Sequence, residues 1–202
     1  MDEARTVREF WFGELPLTAE QLGRRMEFWF GKANAERDAQ IRARFGTLLE
    51  RAAGGALAAW ADGPHRRLSL IILLDQFPRH VFRGTARAFA CDGQALALTL
   101  SGMQSAADAA LDPVERIFFY MPLQHAESRE AQDESLAAFR RLLGEAPPEL
   151  QAIFADSLAW AGKHRAIIER FGRFPHRNAL LGRASTPAEE EWLRQGGESF
   201  GQ

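Results

Sequence analysis

Three polar segments of the sequence contain residue types that do acid–base chemistry or bind anions. The first is 75–79, Asp-Gln-Phe-Pro-Arg, which follows the strongly apolar run 70–74. If that run ends a helix, Asp75 faces the negative pole of the helix dipole and needs a donor, for which Arg79 is the nearest candidate. The pair either closes a helix end or places Asp75 in a cleft. Structural ion pairs outnumber catalytic ones, which favours the first interpretation.

The second segment is 122–128, Pro-Leu-Gln-His-Ala-Glu-Ser. Its His125 and Glu127 are residue types found as metal-ligand pairs and as acid–base pairs. Glu127 and Ser128 equally suit the cap and first turn of a following helix, where a carboxylate is favoured. The spacing alone leaves both interpretations open.

The third segment runs from His164 to Asn178. His164 lies on the apolar face of a helix, where a single histidine is more often a hydrogen-bonded core residue than a ligand. The stretch 170–178, Arg-Phe-Gly-Arg-Phe-Pro-His-Arg-Asn, is rich in donors and suits a phosphate, a carboxylate or an internal acid such as Asp75. Donors of this kind equally well hold neighbouring helix ends in place.

Together, these segments supply one set of candidate ligand-binding residues: Asp75, Gln76, Arg79, His125, Glu127, His164, Arg173, His176, Arg177 and Asn178. In an enzyme, Asp75 or Glu127 would act as the base. His125 and His176 would act as acids or metal ligands, and the arginines would clamp an anion. The sequence contains no dinucleotide-binding, Walker or zinc-helix motif, so we assign no cofactor and no metal.

The composition narrows the class of protein. The 202 residues include 25 basic and 27 acidic ones without a polybasic run, which argues against nucleic-acid binding. The apolar run 70–74 is too short to span a membrane, and the first residues do not form a signal peptide. Cys91 is the single cysteine, so no disulfide forms within the chain. We therefore expect a cytoplasmic protein.

Helix signatures recur along the chain and predict the elements that position these residues. Helix starts are indicated by Asp2, by Thr18 with Gln21, by Asn34, by Asp112-Pro113 and by Thr186-Pro187 with Glu189. The run 70–74 suits a buried strand or a buried helix, and without a partner strand we predict a helix over 67–78. Pro122 is expected to break or kink its helix.

The links between these elements are short, which is typical of antiparallel helical hairpins. The pattern predicts an all-α fold of roughly eight or nine helices in one domain spanning 1–202. No repeat of fixed length is visible in the sequence.

Several motifs together resemble a known bacterial family. They are Leu-Asp-Gln-Phe-Pro-Arg at 74–79, Arg-Gly-Thr-Ala-Arg-Ala-Phe-Ala at 83–90, Phe-Tyr-Met-Pro-Leu-Gln-His-Ala-Glu-Ser at 119–128, the stretch 170–178, and Val-Arg-Glu-Phe-Trp-Phe-Gly at 7–13. The family is the domain-of-unknown-function family numbered nine hundred and twenty-four. The resemblance implies a tetratricopeptide-like, right-handed array of helical hairpins, and it implies no activity.

Three functional hypotheses follow. The leading one is a helical binding module whose concave groove, lined by arginine and aromatic residues, binds a peptide or protein partner. The alternative is an enzyme or a protein that binds a small anionic ligand, with one site built from the segments of Asp75, His125 and His176. The third is an exposed surface patch, for which the candidate aromatic residues are Trp29, Phe30, Trp60 and Trp192. The sequence leaves enzymatic activity and oligomeric state open.

Overall fold

The computed structural model describes residues 2–200, apart from the side chain of Ala19, and every regular element in that range is helical. Of the predicted domain 1–202, Met1, Gly201 and Gln202 lie outside the described residues. Nine α-helices occur within 2–200 when the continuous helix 64–81 is counted once. They are α1 (Glu3–Phe12), α2 (Ala19–Phe30), α3 (Ala35–Ala53), α4 (64–81), α5 (Asp92–Gln104), α6 (Pro113–His125), α7 (Arg129–Gly144), α8 (Gln151–Phe171) and α9 (Pro187–Arg194). The all-α prediction is confirmed.

The predicted helix starts are formed by local side-chain caps. Asn34 accepts a hydrogen bond from the main-chain nitrogen of Arg37 at 2.9 Å. Thr18 and Gln21 bond reciprocally across the first turn of α2, and Thr186 does the same with Glu189 at the start of α9. Each cap satisfies a main-chain N–H that has no partner within its helix and contributes about 1 kcal/mol.

Helix α4 differs from its prediction in one important respect. It is α-helical over Pro64–Ile71, turns through a π-helical segment at Ile72–Gln76 and is α-helical again over Phe77–Val81. The prediction of a helix is confirmed, but the position of Asp75 at its carboxyl end is wrong, since the helix continues to Val81. The wider turn inserts one residue into the helix and changes which faces its side chains occupy, and such turns are frequent at functional sites.

Helix α6 also runs further than expected. It passes through Pro122 and ends at His125, so the predicted break at the proline is wrong. A proline removes one main-chain hydrogen bond from a helix, and tertiary packing of the buried residues around Pro122 outweighs that loss. As a result, His125 is the last residue of α6, where main-chain oxygens lack partners within the helix.

Helix α4 lies at the centre of the packing. It contacts α1, α3, α5 and α6, and every residue from 68 to 81 is buried. The consecutive pairs α5–α6, α6–α7 and α7–α8 pack on one another, as helical hairpins require. The tetratricopeptide-like arrangement itself stays a prediction. Among the described residues, none of the helices has both the length and the apolar character needed to cross a membrane.

Candidate functional site

The three polar segments meet at one cavity of about 590 Å³. Its polar lining includes Gln76, Arg79 and His80 of α4, Gln124 and His125 of α6, His164 of α8, and His176 and Arg177 of the loop that follows α8. These residues come from separate parts of the chain, so helix packing brings them together. The packing places seven of the ten candidate residues in or directly behind the cavity lining, with Asp75 behind His125.

Asp75 and His125 form a hydrogen-bonded pair that joins α4 to α6. The Nδ1 atom of His125 lies 2.7 Å from Oδ1 of Asp75. Asp75 is completely buried, and its other carboxylate oxygen accepts a hydrogen bond from the side-chain amide of Gln76. Because a carboxylate only accepts hydrogen bonds, the proton between the pair lies on Nδ1 of His125. The Nε2 atom of His125 therefore carries a lone pair.

The charges of this pair are set by Arg79 and by burial. Burial raises the pKa of the Asp75 carboxyl group. Electrostatic interactions with His125 and Arg79 and the hydrogen bonds from His125 and Gln76 outweigh that effect and lower the pKa from 3.8 to about 2. Burial and the charge of Arg79 lower the pKa of His125, and Asp75 acts in the opposite direction. At neutral pH the pair is a carboxylate with a neutral imidazole.

Asp92 connects two arginines of the cavity lining. Arg79 Nη1 lies 3.0 Å from Oδ1 of Asp92, and Arg177 Nη1 donates to Oδ2 at 3.1 Å. Arg177 also donates to the main-chain oxygen of His125 at 3.1 Å, which satisfies the end of α6. Its guanidinium carbon lies 4.5 Å from the ring centres of Phe89 and Phe174, so the group is held in one position.

A second aspartate–histidine pair contributes its histidine, His80, to the lining of the same cavity. His80 Nδ1 lies 2.7 Å from Oδ1 of Asp38, which comes from α3. Arg83 bonds to the same carboxylate, with its Nε atom 2.9 Å from Oδ2. Burial lowers the pKa of His80, although Asp38 raises it. The sequence interpretation missed this pair, because its members stand 42 residues apart and neither lies in the polar segments as defined.

His164 and His176 complete the imidazole groups of the lining. His164 donates from Nδ1 to the main-chain oxygen of Trp160 at 2.8 Å, and its ring stacks on Phe200 with centres 3.8 Å apart. Burial, followed by the charge at His125, lowers the pKa of His164 to about 3. Burial and the charge of Arg177 lower the pKa of His176 to about 4. Both rings are neutral at physiological pH.

The lining also contains a set of apolar and aromatic residues: Met26, Trp29, Phe30, Ile117, Met121, Ile153, Trp160 and Phe200. Its remaining polar and charged residues are Lys32, Arg37, Arg83, Asp156, Ser157, Glu198 and Ser199. Phe30 and Trp160 are 47% and 43% exposed, so they are accessible at the cavity. Of the aromatic residues considered for a surface patch, Trp29 and Trp60 are buried. Trp160 was missed, although it stands four residues before His164, which places both on one helix face.

The three remaining candidate residues are neither in the cavity lining nor directly behind it, and they hold the loop around 172–186 in place. Glu127 accepts from the main-chain nitrogen of Phe174 at 2.8 Å and pairs with Arg183. Arg173 pairs with the buried Glu189 at 2.7 Å. Asn178 donates to Ser185 at 3.0 Å. The suggested pairing of His125 with Glu127 does not occur, since each has a different partner. The contacts of Arg173 and Asn178 fit the interpretation in which the donors of the stretch 170–178 hold neighbouring helix ends in place.

Within residues 2–200, no group of three or more His, Cys, Asp or Glu side chains converges closely enough to hold a metal ion.

Comparisons with known proteins place the chain in a family. It matches the model of a family described as bacterial protein of unknown function (DUF924) over residues 7–197. It is similar to a solved structure, the protein of unknown function ATU0120 from Agrobacterium tumefaciens, with 35% sequence identity and a TM-score of 0.80, over 96% of this chain and 97% of that one. No curated protein matches the chain. The chain therefore belongs to the family of bacterial proteins of unknown function DUF924.

Proposed function

We propose that this protein binds a small organic anion with a planar, apolar body in the cavity. The observation that carries the proposal is the convergence of Arg79, Arg177 and several histidines beside an aromatic lining. A volume of about 590 Å³ falls within the range of small-molecule sites. This is the alternative hypothesis of the sequence analysis, made more specific by the geometry.

Arg177 indicates that the ligand is negatively charged. This side chain is buried, and within the described residues its Nε atom has no hydrogen-bond partner. The pKa of Arg177 is lowered to about 10, first by burial, so the group is positively charged at neutral pH. The same charge helps to lower the pKa of both His164 and His176. Asp92 offsets part of this charge, and a buried guanidinium with an unused donor favours an anion.

The aromatic side chains of the lining indicate that the ligand has an apolar body. Trp29, Phe30, Trp160 and Phe200 offer ring faces and edges to an occupant of the cavity. Aromatic pairs of this kind contribute about 0.5–1.5 kcal/mol beyond their buried area. A peptide with an aromatic acidic residue is the second candidate occupant, favoured by the exposure of Phe30 and Trp160.

Calorimetric titration with benzoate, and with uncharged benzamide for comparison, tests the proposal. We expect benzoate to bind and benzamide to bind at least about tenfold more weakly, since hydrogen bonds to charged groups are worth about 1.5–3 kcal/mol. Arg177→Met keeps an apolar side chain of similar reach and removes the guanidinium with its charge, and we expect it to weaken benzoate binding by about 10- to 100-fold.

The matched control for this prediction is Arg170→Met. Arg170 is exposed on α8 outside the cavity lining, so benzoate should bind this variant as it binds the natural protein. Equal binding of benzoate and benzamide would contradict the anion site. If Arg177→Met and Arg170→Met had the same affinity as the natural protein, the assignment of the charge to Arg177 would be wrong.

The affinity for an anion is also expected to depend on pH. An anion beside His176 stabilises the protonated ring and raises its pKa. In the free protein, burial is the main cause that lowers this pKa to about 4; Arg177, Arg183 and Arg79 lower it as well, and Glu127 raises it. Since binding raises the pKa, benzenesulfonate is expected to bind severalfold more tightly at pH 5 than at pH 8. Titrations at both pH values check this, and an affinity independent of pH would place the anion away from His176.

A further inference from the structure

His125 has the arrangement of a general base. Its Nδ1 atom donates to the fully buried carboxylate of Asp75, so its Nε2 atom is the unprotonated nitrogen. His125 lines the cavity, and among residues 2–200 no atom is hydrogen-bonded to its Nε2. A carboxylate behind an imidazole fixes the tautomer and raises the basicity of the free nitrogen.

The other imidazoles of the cavity are weaker candidates for this role. The Nδ1 atom of His164 donates to a main-chain oxygen instead of a carboxylate, and its pKa is lowered to about 3. His80 does have a carboxylate partner, Asp38, but Arg83 shares that carboxylate and lies 3.4 Å from Nδ1 of His80. The charge of Arg83 opposes protonation of His80. Arg79 opposes protonation of His125 in the same way, but the carboxylate partner of His125 is fully buried, whereas that of His80 is partly exposed.

The surroundings of His125 indicate which group gives up a proton to its Nε2 atom. Within residues 2–200, no hydroxyl or thiol group is hydrogen-bonded to His125, including those of Ser157 and Ser199 in the cavity lining, so His125 is not paired with a nucleophile of the chain. A cavity of about 590 Å³ has room for a small ligand and ordered water molecules, each of which takes up about 30 Å³. Water next to Nε2 is therefore the nucleophile that fits the geometry.

We propose that the cavity is a hydrolytic active site in which His125, oriented by Asp75, activates water against an ester of the bound organic anion. This proposal rests on the proposed function. Nε2 takes a proton from water as the water oxygen bonds to the ester carbon. The bond from that carbon to the leaving oxygen then breaks, and His125 returns the proton to the leaving oxygen. The products are an acid and an alcohol, and no other reactant is needed.

Hydrolysis of 4-acetoxybenzoate tests the proposal, with the release of 4-hydroxybenzoate as the readout. We expect saturable turnover that benzoate inhibits competitively. His125→Gln is expected to lower kcat by at least about 100-fold and to change KM less than threefold, because general bases contribute about 10²- to 10⁴-fold. His65→Gln is the matched control, since His65 is exposed outside the cavity lining and its loss should change neither constant.

Asp75→Asn tests the positioning role of the carboxylate. We expect a lower kcat, a KM close to that of the natural protein, and a pH–rate midpoint shifted to lower pH, because His125 loses the group that raises its pKa. A structural role alone would leave that midpoint unchanged. If Asp75→Asn does not fold, His125→Gln decides the question.

The outcomes separate this proposal from the binding proposal. If benzoate binds but the natural protein hydrolyses 4-acetoxybenzoate no faster than His125→Gln does, the hydrolytic role is overturned and the binding site stands. A loss of turnover in His80→Gln without a loss in His125→Gln overturns the assignment of the base. If neither benzoate binding nor hydrolysis is detected, both proposals fail.

Discussion

Replacement of Asp75 by alanine is expected to lower the free energy of unfolding by about 3–5 kcal/mol. The carboxylate is fully buried and lies 3.5 Å from the guanidinium of Arg79, which is itself buried. Without it, Arg79 keeps Asp92 as its carboxylate partner among residues 2–200, and His125 and Gln76 lose their acceptor. Breaking a buried pair from one side leaves an uncompensated charge, which is why the effect is large.

Urea denaturation at pH 7 measures this loss, and Asp62→Ala is the control. Asp62 is exposed, so its replacement should change the free energy of unfolding by less than about 0.5 kcal/mol. The difference between Asp75→Ala and the natural protein should also shrink in acid. The Asp75 pKa is lowered from 3.8 to about 2, so its charge stabilises the fold above pH 4 and loses that effect as the pH falls towards 2. A loss below about 1 kcal/mol at pH 7 would contradict the ion-pair account.

Much of the fold could be predicted because its determinants are local. The caps at Asn34, Thr18 and Thr186 each act over three residues, and the structure forms them as expected. The helical state of the run 70–74 followed from the lack of a partner strand. Pro122 misled the prediction, since tertiary packing carries α6 through the proline. Local rules therefore identify helices well and locate their ends less well.

The site was predictable in its residue types and less so in its pairings. Asp75 and His125 are both prominent in the sequence, yet they stand 50 residues apart, and their hydrogen bond depends on the packing of α4 against α6. The π-helical turn that contains Asp75 has no clear sequence signature, and without it the expected partner was Arg79 alone. Asp92 was missed for a similar reason, because its role comes from two arginines brought to it by packing.

A polar network of this kind requires a rigid support, and the aromatic core provides it. Phe118 of α6 lies in the interior with its ring centre 4.7 Å from that of Trp29 and 5.4 Å from that of Phe12. It also stacks on the exposed Phe30, with ring planes only 6° apart. Trp29 and Phe30 belong to the cavity lining, so Phe118 connects the core to the apolar part of the site.

Phe118→Ala is expected to lower the free energy of unfolding by about 3–5 kcal/mol, since a fully buried ring is lost and a cavity remains. Phe118→Leu refills much of that space and should lose less. Urea denaturation measures both, and Phe30→Ala is the matched control: Phe30 is 47% exposed, so its loss should be about 1 kcal/mol or less. A loss in Phe118→Ala as small as that of Phe30→Ala would mean that the surrounding rings collapse into the space. The apolar lining would then be too adaptable to hold a ligand in one position against His125.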